Sequence, residues 1–551
     1  MTIDAHADLV LTGGRVATMD PARSWASALA VRDGRIVAVG SDTAVRLAIG
    51  ARTRVIQLRG RTVTPGFQDA HVHPVGGGLE MLRVDLHGFI VKTDYPPIIA
   101  AYAASHPDAP WILGGGWYMA AFEGGAPRRG DLDQIVSDRP AFISSRDGHS
   151  AWVNTKALEL AGITADTADP GDGRIERDAD GTPSGTLHEG AMDLVGRLVP
   201  EDSPSELIEG LRLGQRHLHS LGITAWQDAI IHRDEEELAY VALASNGELT
   251  GRVVGALWWE HDRGGEQIEE FVERRRSTAV GRYAPTSVKL MMDGVLENFT
   301  GSMLDPYLDG HGHPTDNRGL RQIDPEGLLT WVPRLDALGF QPHFHAIGDR
   351  AVRDSLDAVA AARQANGLSD TRPHIAHIQV IHPDDIARFR QLGVAANAQP
   401  LWAAREDQMD VLTIPFLGAP RWQWQYPFRS LHATGAVLAM GSDWSVSSAD
   451  PLLEMEIAVE RHYREPFGDR GVFLPEERID LIDALAAFTA GSAYVNHLDE
   501  DTGTIEVGKF ADLAVIDRDL FDRGAGAIGQ ARVVGTFVEG QAVYEDPALE
   551  G

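Results

Sequence analysis

There is no cysteine anywhere in the 551 residues. Disulfides and thiolate metal sites are therefore excluded. Any bound metal must be held by histidine, by carboxylate or by a modified side chain. Basic residues are scarce: 49 Lys and Arg stand against 80 Asp and Glu, for a formal net charge of -31. No local basic block offsets this acidity, so neither nucleic acid nor an anionic membrane is an expected partner. Long apolar runs are missing as well. No stretch approaches the length that crosses a bilayer. The N-terminal MTIDAHADLVLTGG lacks the charged and apolar regions of a signal peptide, so a cytoplasmic protein is expected. The remaining composition, 43% hydrophobic and 23% charged, is that of a globular chain with a large core. The length is too great for one simple domain.

The two ends of the chain share a character. DLVLTGGRVATMD, ASALAVRDGRIVAVG and TRVIQL near the start read as short strands punctuated by Gly turns. So do GTIEVGKFADLAVID and RVVGTFVEGQAVYE near the end. DGRIVAVG carries a hairpin signal. The spacing suggests one β-sandwich assembled from residues 1–62 and 500–551.

The middle, 63–499, alternates differently. Short apolar strands end in polar residues and are followed by helical patterns: GFQDAHVH, GITAWQDA, RVVGALW, SVKLMMDG, FQPHFHAIGD, RPHIAHIQV, GVAANAQP and AVLAMGSDW. Eight such units predict an α/β fold, a (β/α)8 TIM barrel. The gap from His73 to Gly222 far exceeds the roughly 30 residues of one βαβ unit. An inserted segment at about 75–220 is therefore expected after the first barrel strand. Its PGDGRIERDADGTPSG reads as a hairpin or loop.

His71 and His73 are two apart on the first of these strands, so both rings point to one side at its C-terminal end. In a barrel that end carries the active site. Taken alone, a His-x-His pair is weak evidence. Lys289, His345, His377 and Asp443 sit near the ends of other barrel strands, and side chains so placed converge on the barrel mouth. Nitrogen and oxygen ligands of this kind suit zinc or another divalent first-row ion. Lys289 is the unusual member, because an ordinary ammonium cannot ligate a cation. It is either carboxylated to an anionic carbamate or a plain lysine paired with a carboxylate, which is the ordinary choice for a lysine.

Several segments together resemble one family. They are VTPGFQDAHVHP, DGHSAWVNTKAL, SVKLMMDG, HAIGDRAV, AHIQVIHPDD, QPLW, GSDWSV and GTIEVGKFADLAVID. In this order they resemble the amidohydrolase superfamily, and more closely its amidohydrolase-3 branch of YtcJ-like and N-substituted formamide deformylase-like enzymes. The resemblance covers nearly the whole chain. It implies a composite sandwich beside the barrel. It also implies a metal set of His71, His73, Lys289, His345, His377 and Asp443, holding one or two divalent ions, with Lys289 as a carboxylated bridge. One stretch departs from the pattern. Where relatives often carry a Gly-Ser-Arg-type run, this chain reads DGVLENFTGSML, which places Glu297, Asn298 and Phe299 near the substrate.

The implied activity is hydrolysis of a non-peptide C–N bond, an N-substituted formamide or related amide. Water activated by the metal attacks the carbonyl, and Asp443 shuttles the proton. Asp443 could instead cap a helix. A ring-amidine deaminase is the alternative enzyme, but such relatives carry a glutamate two residues beyond the strand-five histidine, and here Ala346 and Ile347 follow His345. A non-catalytic binding protein is a further alternative, although such relatives tend to lose ligands and all six are kept. His149 is either an oxyanion donor or a histidine satisfied within its own loop. Glu189 either faces the pocket or starts a helix. His343 is expected to support the ligands or the core rather than to ligate. Trp152, Trp226, Trp258, Trp402 and Trp444 lie near strand ends. They suggest a small-molecule substrate with an apolar or aromatic substituent, contacted by Trp152, Glu189, Trp258 and Asn298. A homodimer is the assembly to test.

Overall fold

The computed structural model describes residues 6–232, 234–463, 467–522 and 528–549. Its frame is a barrel of eight strands. They are β1 (Phe67–Val72), β2 (Ile223–Ile231), β3 (Arg252–Trp258), β4 (Tyr283–Met291), β5 (Gln341–Ala346), β6 (His374–His377), β7 (Ala395–Ala398) and β8 (Leu438–Met440). They lie in chain order, and each hydrogen-bonded pair is parallel. The strands are buried almost throughout because helices cover the outer face. The segments read as helical form Asp349–Asn366 and Pro383–Leu392, each stopped by a positive-φ glycine, Gly367 and Gly393.

The ring closes through the chain after β8. Asp443 N donates to the His71 carbonyl at 2.7 Å, and His73 N donates to the Trp444 carbonyl at 2.8 Å. Only glycine fits at 441, where a Cβ would lie 2.5 Å from His71 N. The barrel interior is unusually polar. Gln68, Gln227, Gln341, His343, His374 and Asn397 are all buried there, at positions that barrels of this type commonly fill with branched aliphatic residues.

The expected composite sandwich is present. One of its sheets comes from the N-terminal region alone, in the order 35–40, 28–32, 9–12, 54–57. In the other, the C-terminal strand Leu513–Ile516 pairs antiparallel with Thr62–Pro65. Leu11, Val16, Leu29, Val63, Leu513 and Phe537 share the core between the two sheets. The DG hairpin signal is realised at Asp33 and Gly34, both at positive φ.

Between β1 and β2 the chain builds a separate six-stranded sheet, in the order 173–177, 183–189, 150–153, 141–145, 112–117, 84–85. The turn-rich segment is its outer hairpin, Gly173–Arg177 with Pro183–Glu189. The insertion returns to the barrel through helix Pro204–Ser220, which Ser203 and Glu206 start with a capping box. Among the described residues no helix is long and apolar enough to cross a membrane.

Candidate metal centre

The strand ends bring six side chains together. His71, His73 and Asp443 each offer one atom within 4.8 Å of the others. Asp443 Oδ1 lies 2.9 Å from His73 Nε2 and 3.2 Å from His71 Nε2. Its Oδ2 lies 4.0 Å from His377 Nδ1. Lys289 Nζ reaches to 3.3 Å from His71 Nε2. The His377 ring meets that of His71 at 4.7 Å and that of His345 at 4.4 Å. The geometry follows from strand period and register. His71 and His73 share a side of β1, while Lys289 pairs with His343, Met291 with His345 and Ala346 with His377 along the ladders. Asp443 does not cap a helix. The next helix starts at Pro451 under Asp450, and Asp443 sits at φ 55°, turned back towards His73.

Burial sets the charge states. His71, His345 and His377 fall well below the ordinary imidazole range because they are desolvated, so they are neutral and carry lone pairs. Burial also pulls the Lys289 amine down to about 7. Among the described residues its one hydrogen-bonding neighbour is the His71 ring, not a carboxylate. For Asp443, burial works upward, but the His73 hydrogen bond and the nearby His377 and Lys289 outweigh it and keep the carboxyl ionised.

These residues fit a cation. His377 Nδ1 is buried and has no hydrogen-bond partner among the described residues, although it faces the Asp443 carboxylate. A divalent ion accepting that lone pair and the carboxylate satisfies both. Of the histidines gathered here, His71, His345 and His377 are held neutral, as metal ligation requires.

His149 comes from the insertion. Its Nδ1 donates to Glu189 Oε2 at 2.9 Å, and its ring centroid lies 5.5 Å from that of His345. Desolvation alone would depress it, but the Glu189 carboxylate raises it to about 9, so it is an imidazolium at neutral pH. Glu189 starts no helix. It ends the strand Pro183–Glu189 at φ 50° and also accepts from Asn298 Nδ2 at 3.0 Å and Thr300 Oγ1 at 2.7 Å. Glu189 and Asn298 therefore form a brace that ties the insertion to the chain after β4.

A cavity of about 680 Å³ opens beside the centre. Its wall includes Trp402, stacked on His377 at 5.2 Å, and Trp444, next to Asp443. Glu297, Glu406, Tyr118 and Arg146 line it as well. None of the four expected substrate residues, Trp152, Glu189, Trp258 and Asn298, lines it. Trp152 is buried in the core of the insertion against Phe122, with its indole donating to the Arg128 carbonyl. Trp258 stands edge-on to His232 outside the cavity wall. Trp226 is fully buried in the barrel core.

Other contributors went unmarked in the sequence. Asp69 accepts from His71 N at 3.0 Å and from Ser442 Oγ at 2.6 Å, which pins the closure that aims Asp443. Asp293 accepts from Ile347 N and Gly348 N beside His345. Its position in the SVKLMMDG run was the available signal.

A parallel eight-stranded barrel with a His-x-His strand, buried neutral imidazoles and an ionised aspartate at its mouth defines a metal-dependent hydrolase acting on carbon–nitrogen bonds other than peptide bonds. The amidohydrolase family profile matches residues 54–544, and the chain belongs to that family. It is 32% identical over 545 residues to the protein LONG AFTER FAR-RED 3 of Arabidopsis thaliana, covering 98% of this chain and 92% of that one. It is 27% identical to an N-substituted formamide deformylase of Arthrobacter pascens, covering 98% of each. Among solved structures it is similar to an uncharacterized metal-dependent hydrolase of Pyrococcus horikoshii, with 25% identity and a TM-score of 0.72 over 95% of this chain and 99% of that one.

Proposed function

We propose that the protein hydrolyses an N-substituted formamide or a related amide bearing an apolar or aromatic substituent. The observation that carries this reading is the set of six side chains at the barrel mouth beside an aromatic-walled cavity. His71, His73, His345, His377 and Asp443 would hold the metal. Zinc suits this nitrogen and oxygen donor set. When bound, such an ion supplies a Lewis acid and water that ionises near neutral pH.

The chain's own residues do the rest. Asp443, ionised and turned towards the histidines, takes a proton from the attacking water and delivers it to the leaving nitrogen. His149 spends its Nδ1 proton on Glu189, which leaves Nε2–H free to donate to the substrate carbonyl oxygen as charge develops there. Trp402 and Trp444 receive the substituent and exclude water from it. Lys289, as a carbamate, would be a further anionic group holding the metal. Its amine nitrogen adds to carbon dioxide and releases one proton, and the anion formed replaces a buried amine that has no carboxylate partner.

The test is a screen of metal-reconstituted protein against formamides, other amides, cyclic ureides and carbamates, scored by release of the acid and the amine. Turnover of formamides, abolished in His71→Ala, is the expected result. Turnover confined to ureides or carbamates refutes the substrate assignment. A metal-free protein that gains no activity on reconstitution refutes the metal centre.

A further inference from the structure

His343 precedes His345 by two residues on β5, so its side chain also enters the barrel, one layer deeper. It is completely buried. Its Nε2 lies 2.8 Å from His71 Nδ1, and the two rings meet at 77°. His71 Nε2 is the atom that faces Asp443 and Lys289. A neutral imidazole has one N–H and one lone pair. With its proton on Nδ1, His71 turns a lone pair to the centre. With its proton on Nε2, it cannot ligate.

The layer beneath is ordered by groups that can only accept. Gln341 Nε2 donates to the carbonyls of Arg372 at 2.9 Å and Val495 at 2.8 Å, which orients that amide. Gln341 Oε1 then accepts from Gln227 Nε2 at 2.8 Å, so Gln227 Oε1 faces His374 Nε2 at 2.9 Å. His374 must therefore carry its proton on Nε2. From the other side, Asn397 Nδ2 donates to the Ala70 carbonyl at 2.9 Å and meets a bare His374 Nδ1 at 3.2 Å, the same tautomer. The His374 ring lies 4.0 Å from that of His343 and holds it by packing. Among the described residues, His343 Nδ1 has no hydrogen-bond partner, so its polar contact is with His71, and when Nε2 accepts from His71 the Nδ1–H is left unpaired, a cost that a cation at His71 Nε2 has to offset.

We propose that His343 is a positioning residue that accepts the Nδ1 proton of His71 and so presents the Nε2 lone pair to the metal. This rests on the reading of His71 as a ligand. The His71–His343 pair admits two arrangements related by moving both protons, and a cation at Nε2 permits only one. His343 thus acts on metal affinity through the tautomer of His71.

The experiment titrates apo protein with cobalt(II), reading the d–d absorption band and the affinity by chelator competition. Thermal melts of each apo variant accompany the titration. Glutamine can place an acceptor near the position of Nε2, whereas asparagine is too short and leucine has none. His343→Leu and His343→Asn are expected to bind cobalt about 10- to 100-fold more weakly with an altered band, while His343→Gln stays within about 3-fold of the parent. If leucine fails to fold, the glutamine–asparagine comparison carries the same decision. Equal affinity and an unchanged band in the asparagine or leucine variant overturn the proposal while leaving the metal centre intact. A parent protein that binds no cobalt overturns the metal reading and the proposal with it.

Discussion

Replacing Glu189 by glutamine removes one charge and keeps the size of the side chain. In the parent, Glu189 raises His149 to about 9 against a burial effect that pulls the other way. Without that carboxylate, burial is opposed only by the weaker pull of Asp147 and Asp443, so the imidazole should fall back to near its ordinary value of 6.5. The difference is about 2.5 units, or about 3 kcal/mol between the two protonation states. At pH 8 the imidazolium fraction should fall from about nine-tenths to about 3%. If that cation steadies the carbonyl oxygen, kcat/KM at pH 8 should drop about 30-fold, and less at pH 6. The assay is kcat/KM for a formamide from pH 6 to pH 10. The parent should lose activity through an alkaline limb near 9 and the variant through one near 6.5. The same interaction has a stability signature. The folded-state value lies above the unfolded one, so the stabilisation is fully present below about pH 6.5 and is lost as pH rises through about 9. The parent's melting temperature should fall across that window and the variant's should not. Coincident alkaline limbs in parent and variant would refute the role given to His149.

Lys289→Ala should lower bound metal to at most one ion per chain and abolish turnover. High-resolution mass or diffraction data on the parent should show one added carbon dioxide at that residue, and an unmodified lysine in active enzyme refutes the carbamate. Trp402→Ala should raise KM for formamides with aromatic substituents by about 10-fold, the equivalent of roughly 1.4 kcal/mol, and leave those with small alkyl groups nearly unchanged. Equal losses for both would mean that Trp402 supports His377 rather than the substrate. Asp69→Asn puts an amide nitrogen among the His71 and Ser442 donors. It should cost about 1–3 kcal/mol in urea denaturation, because a buried donor is left unpaired.

Legibility along the chain followed the range of the interactions involved. His71 and His73 could be read together because strand period is local, and the other site residues because each sits at the end of its own short apolar run. The DG hairpin at Asp33 and Gly34 and the glycine stops at Gly367 and Gly393 are local too, since each depends on a backbone that glycine or a short polar residue adopts cheaply. The composite sandwich was visible because both of its halves carry the same strand grammar. What joins them, the pairing of Leu513–Ile516 with Thr62–Pro65, is a contact across most of the chain.

The insertion obeyed no such rule, and its errors have one cause. Inside the barrel, a side chain that turns inward at the end of a strand faces the site because the ring has a single mouth, although Trp258 at the end of β3 turns away from the cavity. The inserted sheet has two faces and its own core, so proximity to a conspicuous motif says nothing about which way a side chain turns. Trp152 stands three residues beyond His149, yet the alternation of strand Ser150–Val153 sends it into the core against Phe122. Glu189 looked like a helix starter because acidic residues favour that position. Its role depends on Asn298 and Thr300, more than a hundred residues later, which reach it only when the chain after β4 folds over the insertion. The departure at Glu297, Asn298 and Phe299 is therefore two changes in one. Glu297 alters the cavity wall, while Asn298 secures the carboxylate that charges His149. Relatives that differ in this run should differ in substrate through the first residue and in alkaline pH limit through the second. An Asn298→Ala variant, which leaves the cavity wall unaltered, should therefore move the pH profile without changing the order of substrate preference.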